Sequence, residues 1–310
     1  MKLAANKSER LDKFLSRMID IARNQIEQLI KKGFVKINGK TVKKGGVKLK
    51  PGDIVEYEIP ESEKSEKKEV NFDIPVLYED EDLLVINKPA GIVVHPAPSV
   101  KEPTVVDWLK SKGFSLSNLA GEERFGIVHR IDKDTSGALL IAKNNKTHAF
   151  LSDQLKDKSM GRYYIFLLNH PLKEAVCINK PIARNPKNRL KMAVVPGGRN
   201  AKTLFVPIEE NLATAKLFTG RTHQIRVHLN SIGRYILGDT TYGKKTQNIP
   251  RTMLHARELY FIHPNGKKLS IIAPLFDDFK SLLKGINDEK INNLSRYFDN
   301  HNGLCQFESK

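Results

Sequence analysis

Between Asn71 and about residue 285 the apolar residues fall into short runs separated by connections of unequal length: DLLVINK, GIVVH, GALLIAK, YYIFLL, TLFVPIE and ELYFIH. Runs this short, rich in Val, Ile, Tyr and Phe, read as strands rather than buried helices. Helical spacing appears between them at HAFLSDQLK and HQIRVHLNSIG. Strands outnumber helices, so a regular βαβ alternation does not fit. The pattern predicts an α+β unit over residues 73–285, a mixed and largely antiparallel sheet with peripheral helices.

A second, smaller α+β unit precedes it, over residues 1–60. Leu11, Phe14, Leu15, Met18, Ala22, Ile26, Leu29 and Ile30 recur at helical spacing. They read as two short helices broken near Asp20, with Gly33 as the final cap. FVKINGKTV then alternates around Asn38-Gly39, a strong hairpin signal, and KLKPGDIVEYEI turns at Pro51-Gly52 into another strand. Residues 61–72, beginning ESEKSEKKEV, are polar, mixed in charge and aperiodic, which predicts a linker. Beyond about Asn287 the chain turns Asn-rich and patternless, so residues 286–310 read as a loosely packed tail.

Charge narrows the partners. The net charge is +17, and within residues 1–50 there are 14 Lys and Arg against 4 Asp and Glu. Such a balance points to a polyanion, nucleic acid before membrane. Arg10, Arg23, Lys31, Lys32 and Lys36 are the expected contacts in the N-terminal unit. A second basic stretch, PIARNPKNRLKMAVVPGGRNAK, holds six Lys and Arg and no acid. It adds Arg184, Lys187, Arg189 and Lys191. The two cysteines, Cys177 and Cys305, cannot build a disulfide framework, which suggests a reducing compartment. No signal-peptide core and no apolar run of about 20 residues is present. A monomer in the cytoplasm, away from membranes, is expected.

The stretch HRIDKDTSGALLIAK joins two unlike halves. Ala138 to Ala142 reads as a strand buried on both faces, and the polar half as the loop feeding it. Asp134, Thr135, Ser136 and Gly137 suit a side-chain-capped turn. Asp132 is not needed for that turn. It stands between Arg130 and Lys133, whose charges favour an ionised carboxylate. A loop aspartate on a rigid strand suits a nucleophile or base, although a surface ion pair explains the same residues.

In TGRTHQIRVHL, Arg221 precedes a helix whose Ile225, Leu229 and Ile232 form the buried stripe, with Gly233 ending it. His223 and His228 lie about 140° apart around such a helix, so they do not pair as metal ligands. Neither cysteine has a ligand-spaced neighbour. No metal site is expected, and the lack of a glycine-rich phosphate loop after a strand gives no support to a nucleotide cofactor.

HRIDKDTSG resembles the signature of the RluA-type RNA pseudouridine synthases. INKPAGIVVHPA, RYYIFLL, GRTHQIRVHL, ILGDTTYG and MLHARELYFIHP match that family in the same order, over roughly residues 73–280. The basic N-terminal unit resembles the alpha-L RNA-binding domain that precedes this catalytic domain in the ribosomal-RNA branch. The resemblance implies isomerisation of uridine to pseudouridine in RNA, most readily large-subunit ribosomal RNA with tRNA as an alternative, and no cofactor. By motif position it makes Asp132 the essential aspartate, Tyr164 the tyrosine packing on the target base and Arg221 the arginine paired with the aspartate. Arg130 fills the gap left by the flipped base, His129 falls in the same substrate-binding loop, and Leu254 walls the uracil. Two departures stand out: Arg162 replaces a usual lysine, and Phe166 stands where a small residue is common.

The chemistry fits these residue types. A base within folded RNA must leave its stack before its sugar is reached, and an aromatic face offsets part of that cost. Breaking the glycosidic bond needs a carboxylate that attacks the sugar or removes a sugar proton, and both need the ionised form. Two other classes remain: a non-catalytic RNA-binding or ribosome-assembly factor, which the +17 charge supports equally well but the ordered loop set with Asp132 and Arg221 argues against, and a metal-dependent nuclease or hydrolase.

Overall fold

The computed structural model describes all residues except 20–22, 59–67, 98–99, 122–123, 284, 288 and 306–310, and omits the side chains of residues 23–25 and 302. The break near Asp20, most of the linker and the Arg23 side chain therefore lie outside the described residues.

The N-terminal unit comprises β1 (Lys2–Ala4), α1 (Leu11–Met18), α2 (Arg23–Lys31), β2 (Val35–Ile37), β3 (Lys40–Thr41) and β4 (Ile54–Tyr57). Its four strands form one sheet in the order β1-β4-β2-β3. Asn38 and Gly39, at φ 47° and 77°, make the hairpin turn that joins β2 to β3. Leu11, Phe14, Leu15, Ile26 and Ile30 pack from the two helices onto Val35 and Val55 of the sheet. Of the apolar spacing seen in the sequence, Leu11, Phe14, Leu15, Ile26, Leu29 and Ile30 are thus the core of this unit, whereas Met18 is exposed and Ala22 lies outside the described residues.

The second unit runs through β5 (Val76–Glu79), β6 (Leu83–Lys88), α3 (Val105–Ser111), β7 (Ser136–Ala142), α4 (Asn145–Lys156), β8 (Gly161–Leu167) and β9 (Val176–Asn179). After a small hairpin of β10 (Ile182–Arg184) and β11 (Met192–Val194) come β12 (Lys202–Glu209), β13 (Leu212–Leu217), α5 (Gln224–Asn230), β14 (Leu254–Ile262) and β15 (Lys268–Ile272). Nine of these strands make one sheet, ordered β5-β6-β7-β14-β8-β13-β12-β9, with β15 also paired to β14. Every pairing is antiparallel except β14 with β7, so the sheet is mixed and largely antiparallel.

The parallel contact matters for the site. It is only two residue pairs long, His255 with Ser136 and Ala256 with Gly137. There the strands come so close that a Cβ on Gly137 would sit 2.3 Å from the Ala256 carbonyl oxygen, and Gly137 holds φ 115°. Ser136 Oγ and His255 Nδ1 are 2.8 Å apart, while His255 Nε2 lies 3.1 Å from the Ala273 carbonyl. All seven residues of β7 are buried, as a strand covered on both faces requires.

Three sequence expectations are corrected. GIVVH is not a strand: its Val93 and Val94 carbonyls accept the Val105 and Val106 amides at the start of α3, so it runs as a loop with Val94 buried and Ile92 and Val93 half-buried. The tail is not loosely packed. After α6 (Asp277–Lys280), which precedes the tail, α7 (Glu289–Asn292) and α8 (Arg296–Asp299) send Ile291 and Phe298 into the main core, and Leu294 joins them from between the two helices. Cys305 in that tail forms a disulfide with Cys177 of β9, so the cysteines do not argue for a reducing compartment. Among the described residues no helix is long and apolar enough to cross a membrane.

Candidate active site

The Asp132 loop enters a cleft of about 70 Å³ lined by Ile131, Asp132, Tyr164, Leu254 and the segment from Gly220 to Arg226. Three elements fix it. The Asp132 carbonyl accepts the Thr135 amide, closing the turn into β7. On β8, Tyr164 pairs with Ala256 of β14, and two residues along, Phe166 pairs with Leu254, so Tyr164 and Leu254 leave the same face. From the far side α5 contributes its first two turns, with every residue from Gln224 to Leu229 buried.

The aspartate's cation is Arg226, not Arg221. Arg226 Nη1 donates to Asp132 Oδ2 at 3.2 Å, and its Nε and Nη2 donate to Asp239 at 2.7 and 2.8 Å. Burial works against the Arg226 charge, but the bonds to Asp239 and the charges of Asp239 and Asp132 outweigh it and raise its pKa. Asp239 is fully buried, which would raise its pKa. The Arg226 guanidinium and the Thr241 and Tyr242 amides pull it below the ordinary carboxylate range instead. Arg221 faces elsewhere: its Nε donates to the Asn200 carbonyl at 2.8 Å, although it lines the cleft. The reason is local. Helix α5 starts only after His223, whose φ of 58° turns the chain, so Arg226 rather than Arg221 is carried onto Asp132.

His223 is a neighbour that sequence reasoning treated only as a rejected metal ligand. Its Nε2 lies 4.0 Å from Asp132 Oδ2, and its Nδ1 is 2.9 Å from the Tyr242 hydroxyl. Burial lowers its pKa more than the Asp132 charge raises it, so the ring is neutral at pH 7. Burial likewise pushes the Tyr164 hydroxyl up to about 12, with the Asp132 charge adding to it, so that hydroxyl keeps its proton.

His129 is also corrected. It does not line the Asp132 cleft; it lies beneath the loop, where its Nε2 accepts the Leu140 amide of β7 at 3.1 Å. Its role is to tie the loop to the strand. Lys88, which sequence reasoning passed over, does the same from β6. Fully buried, its ammonium donates to the carbonyls of Pro89, Ile92 and Lys133 at 2.6, 2.9 and 3.0 Å, joining two loops. Burial pushes its pKa down to about 7. The signal available in the sequence was a lysine ending an apolar strand directly before Pro-Ala-Gly. Lys88→Met is expected to lower turnover at least tenfold, by loosening the Asp132 loop, while RNA affinity changes less than twofold. Equal losses in both would show that Lys88 only supports the fold.

Buried histidines set an acid limit on the fold. Burial lowers His129 and His255 to about 3 each, from an unfolded value of 6.5. Below pH 6.5 the unfolded chain takes up these protons and the folded chain does not, so their stabilisation is present above that pH and lost on acidification. The loss is about 1.4 kcal/mol per pH unit for each group. The thermal midpoint should fall steadily from pH 6.5 to 4. A midpoint unchanged across that range would contradict the buried, neutral assignment.

Arg130 is exposed at the cleft rim. In the basic hairpin Arg184, Lys187 and Arg189 are exposed, and Lys191 Nζ lies 6.0 Å from the centre of the Tyr242 ring. In the N-terminal unit Lys31, Lys32 and Lys36 are exposed, whereas Arg10 is held in a two-pronged bond to the buried Asp12. That bond gives Arg10 a structural task. Among the described residues, no three His, Cys, Asp or Glu side chains cluster as metal ligands.

Comparison with known proteins identifies the family. Residues 82–231 match the family described as RNA pseudouridylate synthase, and residues 9–55 match the S4 domain. An RNA pseudouridine synthase of Helicobacter pylori (strain J99) is 47% identical, over 99% of this chain and 98% of its own. A protein of Zymomonas mobilis named ribosomal large subunit pseudouridine synthase D is 38% identical, over 89% of this chain and 93% of its own. The solved human RNA pseudouridylate synthase domain containing 1 superposes with a TM-score of 0.54 over 66% of this chain and 84% of its own, at 24% identity, a likeness of fold. The chain belongs to the RluA-type RNA pseudouridine synthases, with an S4 domain at its N-terminus.

Proposed function

We propose that this enzyme acts on large-subunit ribosomal RNA and that Asp132 is its essential group. The observation carrying this reading is the Asp132–Arg226–Asp239 chain at the floor of a cleft walled by Tyr164 and Leu254. The Arg226 hydrogen bond holds the Asp132 carboxylate in place for attack on the sugar or removal of its proton. The target uridine leaves its stack and its uracil packs on Tyr164 over Leu254, while Arg130 takes the vacated place. The 38% identity to a large-subunit enzyme supports the choice of RNA.

Tyr164→Phe keeps the ring and should bind RNA within about twofold of the wild type, but lose about 100-fold or more in turnover, because the protonated hydroxyl no longer takes part in proton transfer. Full turnover in that variant would reduce Tyr164 to a packing surface. For the N-terminal unit, replacing Lys31, Lys32 and Lys36 together with glutamine should lower the slope of log affinity against log salt by up to about 2.7, that is, about 0.9 for each phosphate left without its lysine. Rate at saturating RNA should hold. An unchanged salt slope would make those lysines solubility features only.

A further inference from the structure

Beside the Asp132 cleft lies a larger cavity of about 630 Å³, sharing Arg130, Arg162, Gly220 and Arg221 with it. Its wall carries Arg124, Arg130, Lys156, Lys158, Arg162 and Arg221, and among the described residues none that line it is acidic. Charge alone does not make a site. Arg162 supplies the second observation.

Arg162 is only 8% exposed, yet among the described residues its guanidinium reaches no carboxylate and makes one long contact of 3.5 Å to the Leu217 carbonyl, with Nε unpartnered. The other buried arginines are satisfied: Arg226 by two aspartates, Arg257 by two carbonyls and Asn292. An unpaired buried charge is costly, and removal of water from it without an anion is tolerated where a ligand completes the pair. Two more buried atoms without partners, His95 Nδ1 and His129 Nδ1, belong to residues of the same wall. Three of the five such atoms among the described residues therefore fall at this one cavity. A wall rich in N–H donors and free of carboxylates selects a phosphate oxygen.

We propose that this cavity is a phosphate subsite of the RNA strand, taking a phosphodiester next to the target uridine, with Arg162 as its buried counter-charge. The proposal rests on the reading that places uracil in the adjoining cleft. It gives Arg162 a ligand that no protein group supplies, and it explains why the cavity opens beside the cleft. The strand is gripped at the linkage that must rotate when a base leaves the stack.

The test is a set of short single-stranded RNAs with one uridine, in which each phosphodiester in turn is a neutral methylphosphonate. Binding is read by fluorescence anisotropy with the wild type, Arg162→Gln and Lys158→Gln. Neutralising one linkage beside the uridine should weaken wild-type binding about tenfold, and Arg162→Gln binding less than twofold, since charge and counter-charge are lost once. Lys158 is exposed, so Lys158→Gln keeps the fold and should give an intermediate coupling even where Arg162→Gln does not fold. Equal weakening in all folded proteins, or coupling only at linkages remote from the uridine, would overturn the subsite. Turnover of the unmodified RNA is measured separately, so loss of the functional reading and loss of the subsite are distinguishable.

Discussion

Asp132→Asn is expected to abolish pseudouridine formation, by a factor of at least about 1,000, while RNA affinity and thermal midpoint stay near the wild type. The substitution keeps shape and removes only the charge, and a loss of that size equals about 4 kcal/mol of transition-state stabilisation. Asp134, two residues on and exposed, serves as the control. Asp134→Asn should keep most activity, because its carboxylate faces solvent rather than the cleft. Activity in the first variant and its loss in the second would move the catalytic aspartate to position 134.

Arg226→Gln has two expected effects. It leaves Asp239 buried without its cation, which should cost about 3–5 kcal/mol of stability. It also removes the hydrogen bond that α5 gives to Asp132, so turnover should fall at least about 100-fold. Arg226→Lys, which keeps the charge but not the two-pronged bond, should recover part of both losses. Arg221→Gln should weaken RNA binding and leave stability near the wild type, since Arg221 reaches Asn200 rather than Asp132. A larger loss of stability and turnover in Arg221→Gln than in Arg226→Gln would reverse the two arginines.

Which parts of this site a reader of the sequence can find follows from how local each signal is. β6, β7, β8, β12 and β14 are apolar runs, visible because burial of both faces fills consecutive positions. β13 escapes notice because LATAKL is small and carries a lysine, and β15 because its faces alternate in exposure. The tail hides its packing in another way: Ile291, Leu294 and Phe298 are single apolar residues among polar ones, with no run to betray them. Asp132 stood out as a candidate because its side chain is not needed for the turn that its carbonyl closes. Arg226 did not. Choosing between the arginines on either side of HQI requires knowing that His223 adopts a left-handed conformation and that Asp239 waits across the helix, and neither is written locally. Lys88 and His129 work through carbonyls and amides of distant segments, which sequence spacing does not show.

The most direct test is to map pseudouridine in total ribosomal and transfer RNA from cells with and without this protein. The account predicts that one or more pseudouridines of large-subunit RNA disappear without it, return with the wild-type chain and do not return with Asp132→Asn. An unchanged large-subunit map, or restoration by Asp132→Asn, would contradict it.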